Sequence, residues 1–208
     1  MNAFKPWFAA ALAAALLGAC AVSPSPAPVL LTLPPATALL AGKASPPSVP
    51  NAPGALPLVA VRRVHIPEYL VVRRVRYRTD ASTLAEWPNT YWAERIEVGV
   101  SREFVSALRQ QLPGWTLCDT HCGDQAPALT LQVDLEPLDY LRSARRLQAQ
   151  ARLTLSGAGA APKVLLTQAL AYEIASSADT PQAQAQAMAQ LIRQVAAAGA
   201  ALIRAAKP

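Results

Sequence analysis

The chain has 208 residues, 52% hydrophobic and 15% charged, a balance that can support a real core and suits one domain plus a tail. Beyond the first twenty residues no segment is apolar enough to cross a bilayer as a helix, which excludes a bundle of membrane-spanning helices. The net charge of +6 suggests an anionic partner, with anionic lipid nearer than nucleic acid for a chain that begins as this one does.

The N-terminal MNAFKPWFAAALAAALLGAC carries one cation, Lys5, then an apolar run of about eleven residues from Trp7 to Leu17, then small residues. The run is too short to span a ~30 Å hydrocarbon core, and the charged start, short apolar middle and small-residue end describe an export signal. Leu17-Gly18-Ala19-Cys20 resembles the bacterial lipobox, in which the cysteine thiol takes a diacylglycerol and becomes the mature N-terminus. The alternative is an ordinary signal with a chance cysteine at its end. Ala21 follows Cys20, where an Asp usually retains bacterial lipoproteins in the inner membrane. The expected place is therefore the outer membrane, with the body facing the periplasm. The expected organisation is a signal over 1–19, an anchored tether over 20–55 and a folded domain over 56–208.

The tether is rich in Pro, Ala and Ser, a composition that favours extended chain without regular pairing. Within it VLLTL, residues 29–33, reads as a first strand joining the sheet. LPLVAVRRVHI (56–66) and LVVRRVRYR (70–78) read as strands broken at IPEY, because Pro67 cannot donate to a ladder. The second strand puts Val75 and Tyr77 on one face and Arg74, Arg76 and Arg78 on the other. TDASTLAEWPNT (79–90) reads as a turn-rich connection. An amphipathic helix follows over Tyr91 to Leu112, with Ile96, Val100, Phe104, Leu108 and Leu112 on its apolar stripe, and Pro113-Gly114 stops it.

WTLC is a short strand leading into CDTHCGD. An exported chain meets an oxidising compartment, so a Cys118–Cys122 disulfide is the first reading, with free thiols as the alternative. A metal site through Cys118, His121 and Cys122 lacks a second Cys/His pair to complete it, and no metal or other cofactor is expected. Three alternating strands come next, in LTLQVDLEPL, LQAQARLTLS and VLLTQALAYEI, the last two joined as a hairpin by GAGAAP. A final helix opens on Thr180-Pro181, an N-cap followed by proline at the first helical position, and carries Met188, Leu191, Ile192, Val195, Leu202 and Ile203 as a stripe. Together these predict a two-layer α+β domain, a mainly antiparallel sheet covered on one face by helices.

The sequence contains no glycine-rich phosphate loop, metalloprotease helix or nucleophile elbow. His65 and His121 lack evident carboxylate partners. Glu94 and Glu97 read as partners of a helix dipole rather than as an acid/base pair, and a non-enzyme is expected. Arg62, Arg63, Arg73, Arg74, Arg76 and Arg78 crowd a short stretch with Glu68 the one acid among them. They form either a solvated face that discourages edge pairing or a docking surface for an acidic partner or lipid head groups, with Arg74, Arg76 and Arg78 as its contacts.

The order of these motifs resembles the PqiC-type ABC-transport auxiliary lipoproteins over nearly all of residues 27–205. Ile66-Pro67-Glu68-Tyr69-Leu70 matches the family's turn between two strands, and Trp92-Ala93-Glu94 matches the start of its first helix. Val71-Val72-Arg73-Arg74 and Arg95-Ile96 depart from the residues that usually follow each motif, and the Pro-rich insert between Pro34 and Pro57 is longer than usual. The resemblance implies a non-catalytic subunit of an envelope lipid-transport system. Its partners would be an MCE-domain protein with its permease and ATPase, and the subunit itself would assemble as a homo-oligomeric ring. Tyr69 and Trp92, within the matched motifs, join the arginines as candidate contacts for partner or lipid. A structural or assembly lipoprotein of pilotin type is the alternative.

Overall fold

The computed structural model describes residues 26–36, 58–119, 122–123, 125–159 and 163–206. The signal, the lipobox with Cys20, most of the Pro-rich stretch and His121 lie outside the described residues. The strands are β1 (Val29–Leu31), β2 (Val59–Val61), β3 (Arg74–Arg78), β4 (Leu84–Trp92), β5 (Leu117–Cys118), β6 (Leu129–Leu141), β7 (Arg146–Gly157) and β8 (Val164–Ala175). The helices are α1 (Ile96–Gln111) and α2 (Pro181–Ala205). They build an open, mixed eight-stranded sheet with both helices packed against it, the α+β class expected.

Strand β6 is the hub. One side pairs antiparallel with β7 along almost its whole length, and β7 pairs antiparallel with β8. Its other side is shared, β2 running parallel to Leu129–Leu131 and β3 meeting it at Leu141. Alternation explains the register. Leu129, Leu131, Val133 and Leu135 are buried, then the register shifts between Leu135 and Leu138, and Leu138 and Tyr140 take over the inward positions. Pro137, which has no N–H to give, sits in this irregularity, so the bulge changes the parity of the buried face.

The stretch 79–90, expected as a connection, is mostly strand. Only Thr79 to Thr83 turns, around the Asp80 carboxylate, which accepts the Ser82 and Thr83 N–H groups at 2.8 and 2.9 Å. β4 then pairs antiparallel with β3 and parallel with β1, and a register shift displaces its middle. Pro88 lies in that shift and Asn89 adopts φ 49°, so the Pro-Asn pair that reads as a turn is a bulge inside a strand. Trp87, Thr90 and Trp92 all face the interior as a result. The first helix correspondingly starts at Ile96, five residues later than its predicted start at Tyr91, because Tyr91 and Trp92 finish the strand.

β1 is the predicted first strand and it lies within the sheet. Its entry is fixed by Asn89, whose Nδ2 donates to the Pro26 and Ala27 carbonyls at 2.6 and 3.0 Å. Past the strand, Leu33 is buried and the Ala36 N–H donates to Oε2 of buried Glu103 on α1 at 2.8 Å. The chain from Pro26 to Ala36 is therefore part of the body and not of a free tether.

The helices cover one face. α1 turns Ile96, Val100, Phe104 and Leu108 inward, and α2 buries the whole of its predicted stripe. Thr180 caps α2, its Oγ1 accepting the Ala183 N–H at 3.2 Å. At Gly199 α2 packs tightly against its neighbours. A Cβ there would lie 3.3 Å from Leu131 Cδ2, 3.4 Å from Leu153 Cδ2 and 3.6 Å from Phe104 Cζ, so the absence of a side chain lets sheet and both helices meet.

Candidate functional site

The arginines of β3 stand on one face, as their spacing predicts, and they are not free. Glu86 on β4 pairs with Arg74 at 3.3 Å and with Arg76 at 3.2 Å. Arg76 also donates to the Tyr69 carbonyl at 2.9 Å. Arg78 Nε lies 2.8 Å from Oδ1 of Asp139 on β6, and the Tyr69 hydroxyl donates to the same oxygen at 2.8 Å. The Arg78 guanidinium also sits 5.3 Å from the Tyr69 ring centroid, and Arg74 lies 5.1 Å from that of Tyr91. The bond to Asp139 strengthens the proton affinity of Arg78. Side-chain exposure falls from 48% at Arg74 through 28% at Arg76 to 19% at Arg78, so Arg74 is the cation most accessible to a partner. These half-exposed pairs add little to stability individually, and their main effect is to fix where each guanidinium points.

Burial first, and then the bond to Asp139, hold the Tyr69 phenol above its ordinary value. A raised phenol favours the neutral form in the folded chain. Its contribution is complete below the ordinary range near pH 10 and is lost as pH rises through the folded value. Tyr69→Phe is expected to reduce the loss of stability between roughly pH 9 and pH 11. Urea midpoints measured at both ends test this, and an unchanged alkaline loss would refute it. Tyr172, also raised by burial, keeps part of the slope.

Trp92 requires a correction. At 4% exposure it lies in the core, and its backbone N–H donates to the Arg73 carbonyl, so it supports the site from behind and offers no contact surface. Glu94 and Glu97 are likewise occupied. Glu94 accepts Arg102, which also reaches Glu103, and buried Glu97 pairs with Arg95. Both Glu94 and Glu103 raise the proton affinity of Arg102. Cys118 and Cys122 are disulfide-bonded with Cα atoms 5.2 Å apart. Among the described residues, no three His, Cys, Asp or Glu side chains gather as a metal site, and no helix is long and apolar enough to cross a membrane.

Arg142, in the turn between β6 and β7, is a residue the sequence did not single out. Its guanidinium stacks 4.2 Å from the Trp87 ring centroid and 4.9 Å from that of Tyr77, donates to the Tyr77 hydroxyl at 2.8 Å and pairs with Asp179 at 3.0 Å. It borders an open cleft of about 430 Å³ that Thr79, Ser143 and Arg145 help to line. Asp139 and Asp179 were also invisible as partners, since the folded chain alone brings them to the arginines. Glu86 had a detectable signal, because once 84–92 is a strand the antiparallel register sets it opposite Arg76.

Comparison with known proteins adds a family to this geometry. The family described as "ABC-type transport auxiliary lipoprotein component" matches residues 39–200. No curated protein matches. Among solved structures, the fold is similar to that of an uncharacterized protein at TM-score 0.66 and 20% identity, over 86% of this chain and 99% of that one. It is also similar to protein XCC0632 from Xanthomonas campestris at TM-score 0.58 and 17% identity, over 84% and 91% of the two chains.

Proposed function

The chain belongs to the ABC-type transport auxiliary lipoprotein family, and on that premise we propose that it is a non-catalytic, lipid-anchored subunit of an MCE-type envelope lipid-transport system. In this reading acyl chains on Cys20 hold it in the outer membrane and its body faces the periplasm. There it docks the MCE-domain protein that works with an inner-membrane permease and ATPase, and several copies form a ring around that component.

The observation that carries the reading is the built-in first strand. Eight residues separate Cys20 from β1, and even fully extended they reach at most about 30 Å. A body so closely tied works at the membrane surface as a fixed receiver. The face of β3 then supplies the docking cations, with Arg74 foremost and Arg76, Arg78 and Tyr69 held in place behind it by Glu86 and Asp139.

Crosslinking the lipidated full-length protein in cells, with mass spectrometry of the captured partners, tests this. The expected product contains the MCE-domain protein, and Arg74→Glu is expected to lower its yield severalfold while protein level and membrane attachment stay constant. Capture of outer-membrane assembly proteins in place of the MCE-domain protein would overturn the reading. An unchanged yield for Arg74→Glu would remove Arg74 from the docking face.

A further inference from the structure

Seven of the body's fifteen arginines pair with an acidic side chain among the described residues, and three of the others share one place. Arg62, Arg63 and Arg109 make no ion pair or side-chain hydrogen bond among the described residues. They nevertheless converge on one cleft of about 220 Å³, between the end of β2 and the outer side of α1. Ser101 and Arg102 line the same cleft, and Val61, Val98 and Val105 give it an apolar wall. On α1 the spacing Val98, Ser101, Arg102, Val105, Arg109 follows the helical repeat, so one stripe of the helix faces the cleft.

Asp119 is the one carboxylate on the lining, against the guanidinium groups of Arg62, Arg63 and Arg109 and that of Arg102, which Glu94 and Glu103 already engage. A second cleft of about 600 Å³ adjoins the first and shares Arg62, Arg63 and Asp119 with it, so the two arginines form a ridge between the hollows.

We propose that this cleft binds the phosphate of an anionic phospholipid headgroup. Guanidinium groups match phosphate oxygens in bidentate geometry and are less costly to desolvate than ammonium groups. The volume is below the ~300–1,000 Å³ of pockets that enclose whole drug-sized ligands, and it suits a headgroup whose acyl chains stay outside. The valine wall fits the glycerol and first methylenes. Val98, 37% exposed, is the apolar residue left uncovered at the rim. The site is separate from the β3 docking face, so loss of the transport partner would leave headgroup binding intact.

The test uses the full-length lipidated protein in detergent with equal phosphatidylglycerol and phosphatidylethanolamine, read by native mass spectrometry as the lipid retained. Wild type is expected to retain phosphatidylglycerol preferentially. Arg62→Glu/Arg63→Glu is expected to lose that retention about tenfold, as two charge-assisted donors are reversed. Arg73→Glu/Arg145→Glu, with the same change in net charge at exposed arginines elsewhere, is expected to retain it. Soluble glycerol phosphate should compete more effectively than inorganic phosphate. Equal retention of both lipids, equal loss in both double variants, or no loss at Arg62 and Arg63 would overturn the site. Inorganic phosphate competing as well as glycerol phosphate would overturn its assignment to a headgroup.

Discussion

Changing Cys20 to Ser is expected to remove the protein from the membrane fraction almost completely. A serine hydroxyl cannot form the thioether that carries diacylglycerol, so neither the acylation nor the processing that depends on it proceeds. The energetic contrast is large. Each buried methylene contributes ~0.8 kcal/mol, one myristoyl-length chain holds a protein only marginally, and several hold it in effect permanently. No described helix could substitute as a membrane span. Fractionation with intact-mass measurement reads the result. The wild-type mass should include the acyl groups, and Cys118→Ser/Cys122→Ser should keep them, since that pair is engaged with itself inside the body. A Cys20→Ser product that stays on the membrane at wild-type mass would end the anchored reading.

Phe104→Ala is expected to be the most damaging change within the fold, at about 3–5 kcal/mol. Phe104 is 1% exposed, and its ring tip would lie 3.6 Å from a Cβ at Gly199 on α2. Truncation opens a void where side chains of α1 and of the sheet already crowd α2, so little collapse can relieve it. Against a typical domain stability of about 5–15 kcal/mol the loss is severe, and the urea midpoint should fall by one molar or more at an m-value of ~1–3 kcal/mol/M. Gln110→Ala, on the exposed side of the same helix, should shift it by less than about 0.5 kcal/mol. Equal shifts for the two would mean that Phe104 does not close the core.

Legibility in the sequence followed periodicity. β7 and α2 carry a sustained repeat of two or of three to four, β6 carries one up to its bulge at Pro137, β8 carries one broken only by Gln168, and each lies where that repeat placed it. β4 did not show itself, because Pro88 and Asn89 interrupt its alternation with residues that elsewhere make turns. Tyr91 and Trp92 also happen to continue the apolar spacing of α1, and the helix pattern absorbed them. The site was half visible for a related reason. Local spacing displays the cations of β3, but their partners come from other strands, Glu86 across a hairpin and Asp139 from the hub. Arg62 and Arg63 could be seen to cluster, whereas Arg109 joins them only because α1 crosses β2.

The parallel pairing of β1 with β4 has a mechanical consequence. In the anchored reading, tension on the chain before Pro26, directed along the strand, reaches the Asn89 bonds to Pro26 and Ala27 and the whole short ladder from Val29 to Leu31 together. Such a ladder is stressed in shear, all bonds at once, where a strand pulled from its side would unzip one bond after another. Buried Leu31 and Leu33 add the resistance of apolar side chains dragged through a packed interior. In that reading the first strand works as a rivet, passing a tug from the bilayer straight into the sheet.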